Sequence, residues 1–75
     1  MMSFQELQIG DYFRIPGVSA DYVYRKASSS HCSWQALLQP IRPETKVIQL
    51  TSKEIANYFV AKFVIKQEYL KSLKA

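Results

Sequence analysis

Seventy-five residues make one domain over 1–75 and bury only roughly 60% of the surface that the unfolded chain exposes. Apolar residues are 48% of the chain, with five Tyr, four Phe and one Trp, which supports one core and argues against a disordered segment. Ten Lys and Arg against six Asp and Glu give a net charge of +4, which suits an anionic partner such as nucleic acid or simply a well-solvated surface.

The charge is uneven. Residues 51–75 carry five lysines against Glu54 and Glu68, whereas the first fifty residues are nearly balanced. Cys32 stands alone, so no intramolecular disulfide can form. The opening Met-Met-Ser-Phe-Gln-Glu has neither a basic region nor an apolar run, so no signal peptide is expected. The longest apolar stretch, Tyr58 to Ile65, is broken by Lys62 and falls short of the ~20 residues a membrane span needs. A cytoplasmic protein is the expectation.

In chain order, Met1 to Glu6 reads as a frayed lead-in with Phe4 able to pack on a sheet edge. The rest of the chain is organised around Leu7 to Gly17. Gly10-Asp11 is turn chemistry, and Asp11 is expected to brace that turn through the backbone. Tyr12 to Ile15 then alternates, with Phe13 and Ile15 on the core face and Tyr12 and Arg14 opposite. Pro16-Gly17 ends this first strand. Asp21 to Lys26 is the second strand by its aromatic and β-branched content, with either face able to be the buried one.

Ala27 to His31 is a polar loop, and Ser33 to Gln39 is read as one continuous third strand placing Trp34, Ala36 and Leu38 on one face. Pro40 and Pro43 break the chain before a fourth strand, Lys46 to Leu50. The expected core is Phe13, Ile15, Trp34, Leu38 and Ile48. Thr51-Ser52-Lys53-Glu54 has the form of a capping box, and no Gly or Pro comes after it. Ile55, Phe59, Phe63, Leu70 and Leu73 then fall near one helical face, although the aromatic and β-branched run at 57–65 also fits a fifth strand.

The pattern Leu7-x-x-Gly10-Asp11-x-Phe13-Arg14-x-Pro16-Gly17, then Tyr22-Val23-Tyr24-x-Lys26 and Ile41-x-Pro43-x-Thr45-x-Val47, resembles small uncharacterised bacterial and phage proteins with SH3-like barrels. The resemblance covers roughly residues 5–50 and is carried by turns and core positions, so it implies a fold and assigns no site residue. The expected fold is mainly β with a C-terminal α element: a small SH3-like barrel of four or five strands over 5–50, and a helical segment over 51–75.

Candidate chemistry is sparse. His31-Cys32 has catalytic flavour, but neighbours in a strand point to opposite faces and no third group orients them. One His and one Cys cannot make a structural zinc site, and there is no phosphate loop or dinucleotide fingerprint. No catalytic residue, metal or cofactor is assigned, and an enzyme is the minority reading.

Two binding surfaces remain. The terminal segment is apolar on more than one side, so Tyr58, Ile65 and Tyr69 are expected at an interface with a protein partner or a second copy in a homodimer. The alternative is a nucleic-acid face, in which Tyr12 and Tyr22 stack bases and Arg14, Arg25 and Lys26 neutralise phosphate.

Overall fold

The computed structural model describes residues 1–62, residue 20 excepted. Met2–Ser3 is already part of the sheet as β1, and the 3₁₀ helix Phe4–Glu6 comes directly after it. The lead-in expected to fray is instead anchored. Phe4 is fully buried, and the amides of Phe4 and Gln5 donate to the carbonyls of Thr45 and Pro43 at 2.8 and 2.9 Å. Both the amide and the hydroxyl of Ser3 donate to one carboxylate oxygen of Glu6, which closes the start of the 3₁₀ turn.

The remaining strands are β2 (Tyr12–Arg14), β3 (Tyr24–Lys26), β4 (His31–Trp34), β5 (Leu37–Pro40) and β6 (Lys46–Gln49). Every pairing is antiparallel, and the sheet runs β1-β6-β2-β3-β4-β5. The fold is therefore mainly antiparallel β with a C-terminal helix. No ladder joins β1 to β5 among the described residues, so the sheet is open with two edges. β6 is its staggered link, with Lys46 and Val47 opposite β1 and Ile48 and Gln49 opposite β2.

Local chemistry explains the turns. Gly10 has a φ of +99°, available to Gly at no steric cost. Asp11 braces that turn as expected, accepting the Gln8 amide at 2.8 Å. The Pro16-Gly17 turn closes with the Val18 amide donating to the Ile15 carbonyl at 3.1 Å.

Phe4, Leu7, Phe13, Tyr24, Cys32 and Val47 form the core, with Ile15 and Trp34 packed against it half-buried. Phe13 lies between two rings, edge-on to Phe4 and stacked on Tyr24, each at 5.6 Å between centroids. Such aromatic pairs add about 0.5–1.5 kcal/mol each beyond the area they bury.

Two expected core residues are outside it. Ile48 is exposed and its neighbour Val47 is fully buried, because the adjacent Val and Ile leave the alternation ambiguous and the β2–β6 register sets Ile48 opposite the outward Arg14, which turns Val47 inward. Leu38 is exposed because the expected single strand over Ser33–Gln39 is a hairpin, β4 and β5 joined at Gln35-Ala36. Both of these residues have positive φ, +50° and +66°, as a two-residue hairpin turn of the right twist requires.

The expected second strand is shorter than its apolar content suggested, beginning at Tyr24, with Tyr24 and Lys26 on the buried face. After β6 the capping box forms in both directions. The Glu54 amide donates to Thr51 Oγ1 at 3.2 Å, and the Thr51 amide donates to Glu54 Oε1 at 3.0 Å. Helix α1 then covers 52–62, so the fifth-strand alternative does not hold for 57–62. Phe63, Ile65, Tyr69, Leu70 and Leu73 lie outside the described residues.

Candidate functional site

The capping box fixes the direction in which α1 leaves β6, and α1 returns across the outer face of the sheet. Phe59 meets Tyr12 of β2 edge-on at 5.6 Å, and Glu54 Oε2 accepts from Arg14 Nη1 at 3.3 Å. Two hydrogen bonds from Thr51, amide first and then hydroxyl, together with the Arg14 guanidinium, hold the Glu54 carboxyl below the ordinary carboxylate range.

Between α1 and the β4–β5 hairpin tip lies a cleft of about 480 Å³, with Arg14 and Asp21 on the sheet side and Glu54, Asn57, Tyr58 and Lys62 on the helix side. A smaller hollow of about 200 Å³ continues from it, sharing Gln35, Tyr58 and Lys62 and reaching Tyr12, Arg25 and Ala36. Lys62 Nζ sits 4.9 Å over the Tyr58 ring, and the Arg25 guanidinium carbon lies 6.0 Å from the Tyr12 centroid. Arg14 Nε is buried without a hydrogen-bond partner.

The charges in this groove nearly cancel, with Arg14, Arg25 and Lys62 facing Asp21 and Glu54. Amides from Gln35 and Asn57 and the rings of Tyr12, Tyr58 and Phe59 complete the lining. These groups can hold a polar chain by hydrogen bonds and stacking.

The groove brings together residues from both expected surfaces, Tyr12, Arg14 and Arg25 from one and Tyr58 from the other. It does not include Lys26. That residue points inward and is only 6% exposed, so its expected role at phosphate is corrected. Its ammonium donates to the carbonyls of Phe4 at 3.1 Å and Leu7 at 2.6 Å and lies 4.7 Å over the Phe4 ring. Tyr22 is also apart, packed against Trp34 at 4.8 Å. Tyr58 is half-buried on α1, while Ile65 and Tyr69 fall outside the described residues.

His31 and Cys32 part company across β4. His31 is exposed with Nδ1 2.9 Å from Ser30 Oγ, whereas Cys32 is in the core, where burial pushes its thiol pKa up. Among the described residues no three His, Cys, Asp or Glu side chains gather as metal ligands. No described helix is long and apolar enough to cross a membrane.

Gln35, Ala36 and Asn57 were not expected at a site. Trp34-Gln35-Ala36-Leu37 contains no Gly, Asn, Asp or Pro, so nothing in it announces a turn. Comparison with known proteins adds no parallel, since no family profile, curated protein or solved structure matches the chain.

Proposed function

We propose that the protein is a small non-enzymatic interaction module of the cytoplasm that docks a protein partner, a second copy included, on the outer side of α1. The observation that supports this reading is the pair Phe59 and Val60, which α1 leaves 46% and 61% exposed even though Phe59 also touches Tyr12. Adjacent apolar residues on a helix that already has one face on a sheet favour a second covering surface. The SH3-like resemblance of residues 5–50 belongs to the same proposal, and the wholly antiparallel strand order is compatible with it.

Sedimentation over a wide concentration range tests the self-docking form. The parent is expected to associate, and Val60→Lys to shift that association to about tenfold higher concentration while leaving the fold intact. A parent that stays monomeric, with unchanged exchange of the Phe59 and Val60 amides, overturns the homodimer.

The nucleic-acid alternative draws on Arg25 lying close to Tyr12 on the outer face. Four of its five residues are otherwise engaged: Arg14 by Glu54, Tyr12 by Phe59, Tyr22 by Trp34, and Lys26 by the core. That leaves it the weaker reading.

A further inference from the structure

From Tyr22 to Pro43 the chain has no acidic residue, while it carries Arg25, Lys26, His31 and Arg42. This stretch builds β3, β4 and β5, so with Lys26 buried that half of the sheet presents only neutral and basic side chains. Its outermost strand is β5, and among the described residues nothing pairs with its outer side. Leu37 and Leu38 are 65% and 67% exposed there. Sheet edges are ordinarily protected by charges, bulges or proline, and β5 has Pro40 alone.

The ladder shows which backbone groups are free. Trp34 and Leu37 flank the two-residue turn and form its hydrogen-bonded pair, so Ser33 and Leu38 form a non-bonded pair and the next pairs alternate. The same alternation holds at His31, whose carbonyl accepts the Ala27 and Ser28 amides, away from β5. The amide and carbonyl of Leu38 therefore face outward, and Pro40 offers outward a carbonyl without an amide. Where Pro40 ends the edge, a mainly apolar hollow of about 450 Å³ opens between Ser30, His31, Pro40, Ile41, Arg42 and Pro43.

We propose that β5 adds an extended segment of a partner protein as a seventh strand, and that this segment alternates acidic with apolar residues. Leu38 supplies the main-chain donor and acceptor, and Leu37 and Leu38 cover apolar side chains on the two faces. The hollow takes a further apolar side chain, and the exposed Arg42 at its rim pairs with a carboxylate. Charge favours this occupant over a second copy. Antiparallel pairing of two β5 strands would set two stretches without acidic residues side by side, with no carboxylate on either strand to answer Arg42. The edge is separate from the α1 surface, so a failure here leaves that reading standing.

The test titrates the full-length ¹⁵N-labelled protein with a pool of peptides of about eight residues in which Asp or Glu alternates with Val, Ile, Leu or Phe. A second pool carries Lys in place of the acids. The expected result is amide shifts confined to residues 37–42 and their β4 neighbours, slowed exchange of the Leu38 amide, and no response to the Lys pool. Arg42→Glu and Leu38→Asp, both at exposed positions, should each weaken binding about tenfold. Absence of shifts with the acidic pool, or equal shifts with both pools, overturns the proposal. So does a Leu38 amide already protected without peptide. Protection that grows with protein concentration would assign the edge to a second copy, and protection at every concentration would assign it to the chain itself.

Discussion

The Lys26 ammonium sits at the carbonyl end of the 3₁₀ turn, where unsatisfied C=O groups concentrate and favour a cation. Two carbonyls and the Phe4 ring meet its donors, so a charge expected at the surface instead ties β3 to the start of the chain. Lys26→Met keeps the apolar stem and deletes the donors, leaving the Leu7 carbonyl short of a partner while the Phe4 carbonyl keeps the Leu7 amide. We expect a loss of about 1–3 kcal/mol, read as a lower urea midpoint at unchanged slope. Glu54 makes a second prediction at this scale. Its pKa in the folded state is held down by Thr51 and then Arg14, so its contribution is present above the unfolded-state pKa and is lost as pH falls through the folded-state value. Glu6, held down by the amide and hydroxyl of Ser3, acts in the same direction. Glu54→Gln should therefore flatten the fall in melting temperature below the ordinary carboxylate range and lower stability at neutral pH.

At the scale of elements, the β4–β5 hairpin is the costly one. Gln35 and Ala36 both hold left-handed backbone, which disfavours any side chain with a Cβ by roughly 1–2 kcal/mol per residue. Asn-Gly is the dipeptide such a turn prefers. Replacing Gln35-Ala36 with Asn-Gly should raise stability by about 1 kcal/mol after the extra entropy of Gly is counted, seen as a higher melting temperature. The same hairpin explains where the sequence misleads. Trp34 to Leu38 reads as unbroken strand because its turn lacks turn residues, and only the pairing of Trp34 with Leu37 reveals the reversal. By contrast, β2 is legible from its alternation and α1 from Thr51-x-x-Glu54. Ser3-x-x-Glu6 has the same form, yet its three-residue turn is too short to show any apolar period beside it.

For the whole molecule, the legible part is the class of fold and the illegible part is which faces meet. Val47 and Ile48 are interchangeable in a sequence pattern, and the choice between them is made by the register of β6, which sets Ile48 opposite Arg14 of β2 on the outer face and Val47 opposite Met2 of β1. The groove was legible only in fragments. Tyr12, Arg14, Arg25 and Tyr58 were expected to act on two unrelated surfaces, and the return of α1 over β2 makes them neighbours. No spacing within either stretch encodes that return, because it depends on the angle at which the capped helix leaves β6.

The stagger of β6 also bears on the order in which the molecule assembles. The hairpin of β4 and β5 needs only a two-residue closure, which chains of this kind complete in roughly 1–10 μs. Joining Met2 to Val47 spans most of the described chain and carries a loop-closure entropy of about 3 kcal/mol from its length dependence alone. That closure is favourable once β2 and β3 already hold Phe13 and Tyr24 together, ready to receive Phe4. Pairing β2 with β6 closes a loop nearly as long, so both long-range ladders wait on β6. With β6 as its sole neighbour, β1 has no place in the sheet until β6 has taken its own.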